Sequence, residues 1–255
     1  MRRISGPAGM LSVEEHGHGP LPILLVHGLA GEASFWTTTI RAVGLARRLV
    51  VPELRGHGRS TPPTDNDYSI EACAEDVIAV VKELDLGRLV LVGHSFGASV
   101  VMEVAARLPT QVAGLVLLDP AGDFSDVPPE ALRGFLAGLD DEAHFASTVD
   151  GAIDVALEGA TPETERRVRA AILTAPRQMV RAVYKSLLRY QPTTAIDRYP
   201  GRVLVVTTPS NAATFALHRL RPSLPHHPMT GVSHWVMMDQ PKTVARLIEN
   251  FLGTL

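Results

Sequence analysis

Hydrophobic residues along this chain fall into two kinds of segment. Short apolar runs rich in Val, Leu and Ile end at turn or polar residues, which is typical of parallel strands buried on both faces of a sheet. These runs are PILLVHG, RRLVVPEL, RLVLVGH, VAGLVLLD and GRVLVVTT, at 22–28, 47–54, 88–94, 112–119 and 201–208. Longer segments at 70–84, 98–108 and 240–252 carry apolar residues at helical spacing. This alternation predicts an α/β fold with a doubly wound, mostly parallel sheet.

The alternation stops between residues 123 and 199, where no strand-like run occurs. This region contains helix-like pieces separated by proline and glycine. The pieces cover residues 128–139, 141–157, 161–174 and 175–190. We therefore predict a helical cap of residues 123–199, inserted into a core made of residues 1–122 and 200–255.

Length and composition are consistent with one large α/β domain, since 45% of the 255 residues are hydrophobic. The formal net charge is -3 and Lys and Arg form no basic stripe, so we do not expect a nucleic-acid partner. The N-terminus lacks the apolar run of a signal peptide, and no segment has the roughly 20 apolar residues that span a membrane. We expect a cytoplasmic protein with no membrane partner.

Cys73 is the only cysteine, which excludes an internal disulfide or a thiolate metal cluster.

A Gly-x-Ser-x-Gly motif at 93–97 lies between a predicted strand and a predicted helix. In that context the pattern predicts a nucleophile elbow. Ser95 would occupy a strained turn, and the flanking glycines would keep side chains away from it. The N-terminus of the following helix would offer N–H groups and a positive dipole end to an anion formed at the hydroxyl. The motif therefore predicts a serine nucleophile.

Three further motifs accompany the elbow in an order that is specific for a known fold. LLVHGLAG, VPELRGHGRST, VGHSFGAS and GVSHWVMMDQP resemble four segments of the α/β-hydrolase fold superfamily, namely its His-Gly segment, its RGHGRS loop, its elbow and its catalytic histidine loop. The resemblance covers nearly the whole chain. It implies a capped, esterase-like Ser-His-acid hydrolase with the cap after the sixth strand, a small-molecule substrate and no cofactor.

The resemblance also implies roles for individual residues. It makes Ser95 the nucleophile and His234 the general base that takes its proton and returns it to the leaving group. It places the oxyanion hole at the backbone N–H groups of Leu29 and Phe96. The reaction so implied is cleavage of a small to medium, largely apolar carboxylic ester, thioester or lactone through an acyl-enzyme.

The acid of the triad departs from the usual pattern. Most members of the superfamily carry it after the seventh strand, but residues 203–233 contain neither Asp nor Glu. Asp119 ends the strand-like run that follows the elbow helix, and sites in open sheets collect at the carboxyl ends of strands. We therefore predict a triad of Ser95, His234 and Asp119. Two alternatives stay open: Asp119 could be a turn residue of its Asp-Pro pair, and Asn211 could orient His234 through its amide oxygen.

Apolar residues near these motifs are candidates for a substrate pocket under the cap. We predict that three of them line it, namely Trp36, Trp235 and Met237. Aromatic and Met residues also commonly pack in the hydrophobic core. The ten histidines show no metal-ligand spacing, so no metal is expected.

Two other functions remain open. A C–C bond hydrolase or lyase could use the same triad, and a non-catalytic receptor could bind a small ligand in the same fold.

Overall fold

The computed structural model describes all 255 residues and contains one eight-stranded sheet of order β1-β2-β4-β3-β5-β6-β7-β8. The strands are Arg2–Gly6 (β1), Gly9–His16 (β2), Ile23–Val26 (β3), Leu49–Pro52 (β4), Leu89–His94 (β5), Val112–Leu118 (β6), Arg202–Thr207 (β7) and His226–Pro228 (β8). The β1-β2 and β2-β4 pairs are antiparallel and the others are parallel. The predicted class, an α/β fold with a mostly parallel sheet, is confirmed.

Eleven α-helices accompany the sheet. They are Thr37–Val43 (α1), Ile70–Glu83 (α2), Phe96–Arg107 (α3), Pro129–Asp140 (α4), Phe145–Ala156 (α5), Pro162–Thr174 (α6), Arg177–Arg189 (α7), Pro192–Asp197 (α8), Leu217–Leu220 (α9), Val236–Asp239 (α10) and Pro241–Leu252 (α11). Because α4–α8 lie between β6 and β7 in the chain, the predicted helical insertion after the sixth strand is confirmed. None of the helices combines the length and the apolar character needed to cross a membrane.

Each face of the sheet is covered by a separate hydrophobic core. On β5, Leu89 and Leu91 belong to the core that includes residues of α2 and α3, whereas Val90 and Val92 belong to the core that includes residues of α1 and α11. All four side chains are completely buried. Burial on both faces explains why this strand has a continuous apolar sequence instead of an alternating one.

The parallel strands bring the predicted functional residues to one edge of the sheet. Leu29 follows β3, Ser95 follows β5, Asp119 follows β6, and His234 lies beyond β8. Since these strands run in the same direction, their carboxyl ends open on a common crevice, which is where ligand sites of open α/β sheets collect.

Candidate active site

Ser95 lies in a sharp turn between β5 and α3. Its backbone φ of 54° and ψ of -119° fall outside the regions that non-glycine residues favour. Its N–H donates a hydrogen bond of 3.0 Å to the carbonyl of Leu118 at the end of β6. The neighbouring strand therefore holds the strained turn in place.

The two glycines of the motif are required by backbone atoms that approach them closely. A Cβ on Gly97 would lie 2.3 Å from the carbonyl oxygen of His27 and 2.5 Å from that of Val26. A Cβ on Gly93 would lie 2.4 Å from the carbonyl oxygen of Gly97. Because these are main-chain atoms of the elbow, of the last residue of β3 and of the residue after it, no rotamer change can make room for a side chain.

We expect Gly97→Ala to lower the free energy of unfolding by about 3 kcal/mol, the upper range for forcing a methyl group into packed backbone. Urea denaturation followed by circular dichroism measures the change. The matched control is Gly134→Ala in α4, where an added Cβ has no atom within 4 Å apart from its chain neighbours and the backbone of its own helix. That control should be slightly stabilising, because alanine favours a helix interior. Equal stability of the two variants would contradict the close approach at the elbow.

The side chains of His234 and Asp119 meet at the crevice. Nδ1 of His234 lies 2.6 Å from Oδ2 of Asp119. Since an ionised carboxylate can only accept, Nδ1 is the donor and carries the proton. Nε2 of the neutral imidazole is then unprotonated and able to take a proton from a hydroxyl.

Asp119 is almost completely buried, with 1% of its surface exposed. Its carboxylate accepts hydrogen bonds from the N–H of Thr208 at 2.9 Å, from Oγ1 of Thr208 at 2.8 Å and from Oγ of Ser210 at 3.3 Å. Burial opposes ionisation, but the hydrogen bonds from His234 and Thr208 outweigh it and hold the pKa of this carboxyl below its usual value. The resemblance would have placed an acid in the loop after β7. In this chain that loop supplies hydrogen-bond donors to an acid that directly follows β6.

Asn211 makes no hydrogen bond to the ring of His234. Its Nδ2 donates to the carbonyl oxygen of Pro120 at 2.7 Å. Nδ1 of His234 donates its hydrogen bond to Asp119, and no other side chain is bonded to this nitrogen. Of the two side chains considered for orienting the histidine, the structure brings only Asp119 to it.

The backbone of His234 is held from two sides. Its N–H donates to the carbonyl of Ala156 at the end of cap helix α5, at 2.9 Å. Its carbonyl accepts from Nε2 of His94, also at 2.9 Å. Burial, assisted by the adjacent His234 ring, lowers the pKa of His94 to about 3, so His94 stays neutral and donates through Nε2.

Asp239 joins the histidine loop to the cap. One carboxylate oxygen accepts from the N–H of Ser233 at 2.9 Å and from its Oγ at 2.6 Å. The other accepts from the N–H of Thr161 at 3.0 Å, and Thr161 is the residue that caps α6. The position of His234 therefore depends on the docked position of the cap.

The backbone N–H groups of Leu29 and Phe96 donate no hydrogen bond within the protein. Phe96 is the first residue of α3, where an N–H has no intrahelical acceptor. The segment before Leu29 lies against the elbow, since a Cβ on Gly28 would be 3.1 Å from the Cβ of Ser95. Both predicted donors are thus unpaired within the protein.

A cavity of about 270 Å³ lies between the cap and the core. Ser95, His234 and Asp119 all line it. No hydrogen bond links Oγ of Ser95 to the ring of His234, a contact that often tightens only when substrate binds. The rest of the wall is mainly apolar. Its larger apolar side chains are Phe124, Ile153, Ile172, Leu187, Phe215 and Trp235. The volume is slightly below the range of about 300–1,000 Å³ that is typical of small-molecule sites.

Of the three residues predicted to line the pocket, only Trp235 does so. Trp36 and Met237 are completely buried in the core on one face of the sheet, and this corrects their assignment. The turn Ala33–Trp36 packs against α10. The side chains of both residues therefore point into that core and away from the cavity.

The other histidines near the motifs brace their own turns. Nδ1 of His27 bonds the carbonyl of Gly28 at 2.8 Å, and its Nε2 accepts from the N–H of Leu54 at 3.1 Å. Nδ1 of His57 donates to the carbonyl of Arg55 at 2.9 Å. No group of three or more His, Cys, Asp or Glu side chains is arranged to hold a metal ion.

Comparison with known proteins gives the chain a family. Residues 23–247 match the sequence model of the alpha/beta hydrolase family. The chain is 25% identical to 2-(acetamidomethylene)succinate hydrolase of Mesorhizobium japonicum, over 98% of this chain and 94% of that protein. It is 26% identical to 2-hydroxy-6-oxo-2,4-heptadienoate hydrolase of Pseudomonas putida, over 91% of this chain and 89% of that protein.

Other relatives match over shorter stretches, at 33 to 39% identity over 44 to 50% of this chain, and the matched stretches span 32 to 42% of those proteins. Among solved structures, a thermophilic esterase from Thermogutta terrifontis shares the fold with a TM-score of 0.82 at 24% identity, covering 99% of this chain and 98% of that one. Because the family match extends over most of the sequence, the chain belongs to the alpha/beta hydrolase family.

Proposed function

We propose that this protein is a serine hydrolase that cleaves a small to medium, neutral and largely apolar carboxylic ester, thioester or lactone. The observation that carries the proposal is the 2.6 Å hydrogen bond from His234 to the buried carboxylate of Asp119, in a cavity that Ser95 also lines. A nucleophile, a base and an orienting acid on one cavity wall are the groups that acyl transfer requires.

In the proposed first step, Oγ of Ser95 attacks the substrate carbonyl carbon while its proton passes to Nε2 of His234. The carboxylate of Asp119 stabilises the imidazolium that forms. The N–H groups of Leu29 and Phe96 donate to the oxyanion of the tetrahedral intermediate. When that intermediate collapses, the carbon–oxygen or carbon–sulfur bond breaks and His234 protonates the leaving group.

The second step hydrolyses the acyl-enzyme. His234 takes a proton from a water molecule, whose oxygen attacks the acyl carbon of the ester on Ser95. The same two N–H groups stabilise the second oxyanion. Collapse then releases the carboxylic acid, and the proton returns from His234 to Oγ of Ser95.

The charge of the cavity favours a neutral substrate. Its wall contains the acidic side chain of Asp119 and no lysine or arginine. A substrate carboxylate would lose its hydration without gaining a cationic partner, and Asp119 would repel it. The relatives that hydrolyse a succinate and a heptadienoate act on compounds named as carboxylates. This difference favours ester cleavage over the C–C bond alternative for the present chain.

We expect the enzyme to discriminate by charge between two otherwise matched esters. kcat/KM for mono-p-nitrophenyl succinate should be at least about 100-fold below that for its methyl ester, because burying the free carboxylate costs several kcal/mol. Release of p-nitrophenol reports both rates, after subtraction of the spontaneous rate, which is faster for the free acid because its carboxylate attacks its own ester. Equal rates would rule out the neutral-substrate proposal, and failure to turn over either ester would favour a binding protein.

A further inference from the structure

The proposed mechanism leaves three polar side chains of the cavity wall without a role, namely Tyr184, Ser210 and Asn211. The hydroxyl of Ser210 bonds Asp119, and the amide of Asn211 donates to the carbonyl of Pro120. The hydroxyl of Tyr184 has no hydrogen-bond partner in the protein, and burial alone shifts its pKa. Of these three side chains, Tyr184 is the one that makes no hydrogen bond within the protein.

The position of Tyr184 is fixed by the cap. It lies on α7, and its ring packs edge-on against Phe135 of α4, with centroids 5.1 Å apart and an interplanar angle of 82°. The cap side chains that line the cavity with it include Ile153, Ile172 and Leu187, which offer no hydrogen bond. The phenol is thus the one polar side chain that the cap helices contribute to the cavity wall.

The hydroxyl acts as a donor over the whole working range of pH. Burial raises the pKa of Tyr184 to about 12, so the phenol stays protonated in neutral and mildly alkaline solution. A buried donor that a ligand leaves unpaired costs about 1–3 kcal/mol. A site with such a donor therefore discriminates against ligands that present only CH₂ groups to it.

We propose that Tyr184 is a specificity-determining residue that donates a hydrogen bond to a neutral oxygen of the substrate, remote from the scissile carbonyl. The preferred substrates are then esters that carry a second oxygen acceptor, such as an ether, ketone or amide oxygen, rather than simple alkyl esters. This inference rests on the proposed function, because it assigns the substrate of the same cavity.

The test replaces one CH₂ group of the acyl chain by oxygen. kcat/KM is measured for the p-nitrophenyl esters of 3-methoxypropanoate, 4-methoxybutanoate and 5-methoxypentanoate, each against the pentanoate, hexanoate or heptanoate of equal length and each corrected for spontaneous hydrolysis. We expect the wild type to prefer at least one ether over its alkyl partner by about tenfold. In Tyr184→Phe that ratio should fall to about one.

The matched control is Tyr190→Phe. The hydroxyl of Tyr190 bonds Glu103 and does not line the cavity, so this variant should retain the preference for the ether. A wild type that shows no preference at any position, or a preference that survives in Tyr184→Phe, would overturn the role of Tyr184. In that case the proposed function would stand as long as hydrolysis of the alkyl esters required Ser95. Absence of hydrolysis of every ester would overturn both proposals.

Discussion

Replacing Ser95 with alanine is expected to lower kcat for p-nitrophenyl butyrate by about 10⁶-fold, the scale found for loss of a serine nucleophile. The variant lacks the oxygen that forms the acyl-enzyme. The N–H donors of Leu29 and Phe96 remain, so a small rate above that of water should persist. Initial rates of p-nitrophenol release measure the effect, and circular dichroism shows whether the variant is folded.

The control for this variant is Ser99→Ala, one turn further along α3. Oγ of Ser99 is buried and has no hydrogen-bond partner, so its removal should leave both stability and kcat nearly unchanged. If Ser95→Ala retained a tenth of the wild-type rate, Ser95 would not be the nucleophile.

Replacing Asp119 with asparagine is expected to lower kcat by about 10⁴-fold. The oxygen of the new amide can still accept from Thr208, which leaves its NH₂ group facing Nδ1 of His234. Two donors cannot bond each other, so the imidazole would shift its proton to Nε2 and lose the ability to accept one from Ser95. The charge that stabilises the imidazolium is lost in the same variant. Steady-state kinetics with p-nitrophenyl butyrate measure the effect.

Asp123→Asn provides the matched control, since Asp123 lies in the same connection between β6 and the cap. Its carboxylate accepts from Ser125 and Thr193 and does not reach His234. Its kcat should stay within a few-fold of wild type. The opposite pattern, an active Asp119→Asn with an inactive Asn211→Ala, would move the orienting role to Asn211.

The sequence predicted the central strands and their helices closely because burial on both faces leaves a continuous apolar signal. The helix after the elbow was expected at 98–108 and occupies Phe96–Arg107. The edge strand β1 escaped prediction because it gives no such signal. Only Ile4 of β1 is fully buried, and the three residues of β8 are exposed, so neither strand forms an apolar run.

Asp119 could be proposed from the sequence because the absence of Asp and Glu from 203–233 is visible there. Its partner Thr208 was missed, although a hydroxyl residue directly after the strand in a loop without acid is a usable signal. Tyr184 could not be assigned, because its place in the cavity depends on how the cap packs on the core. Trp36 and Met237 were assigned to the pocket because they are close to a motif in the sequence. That closeness does not determine which way a side chain points.

The most direct test of the central claim is covalent labelling of the wild-type enzyme with a fluorophosphonate, followed by intact-mass measurement and peptide mapping. We expect one adduct per chain, on Ser95, absent from Ser95→Ala and formed more slowly in Asp119→Asn. An adduct on another residue, or no adduct on a folded protein, would contradict the proposed serine hydrolase.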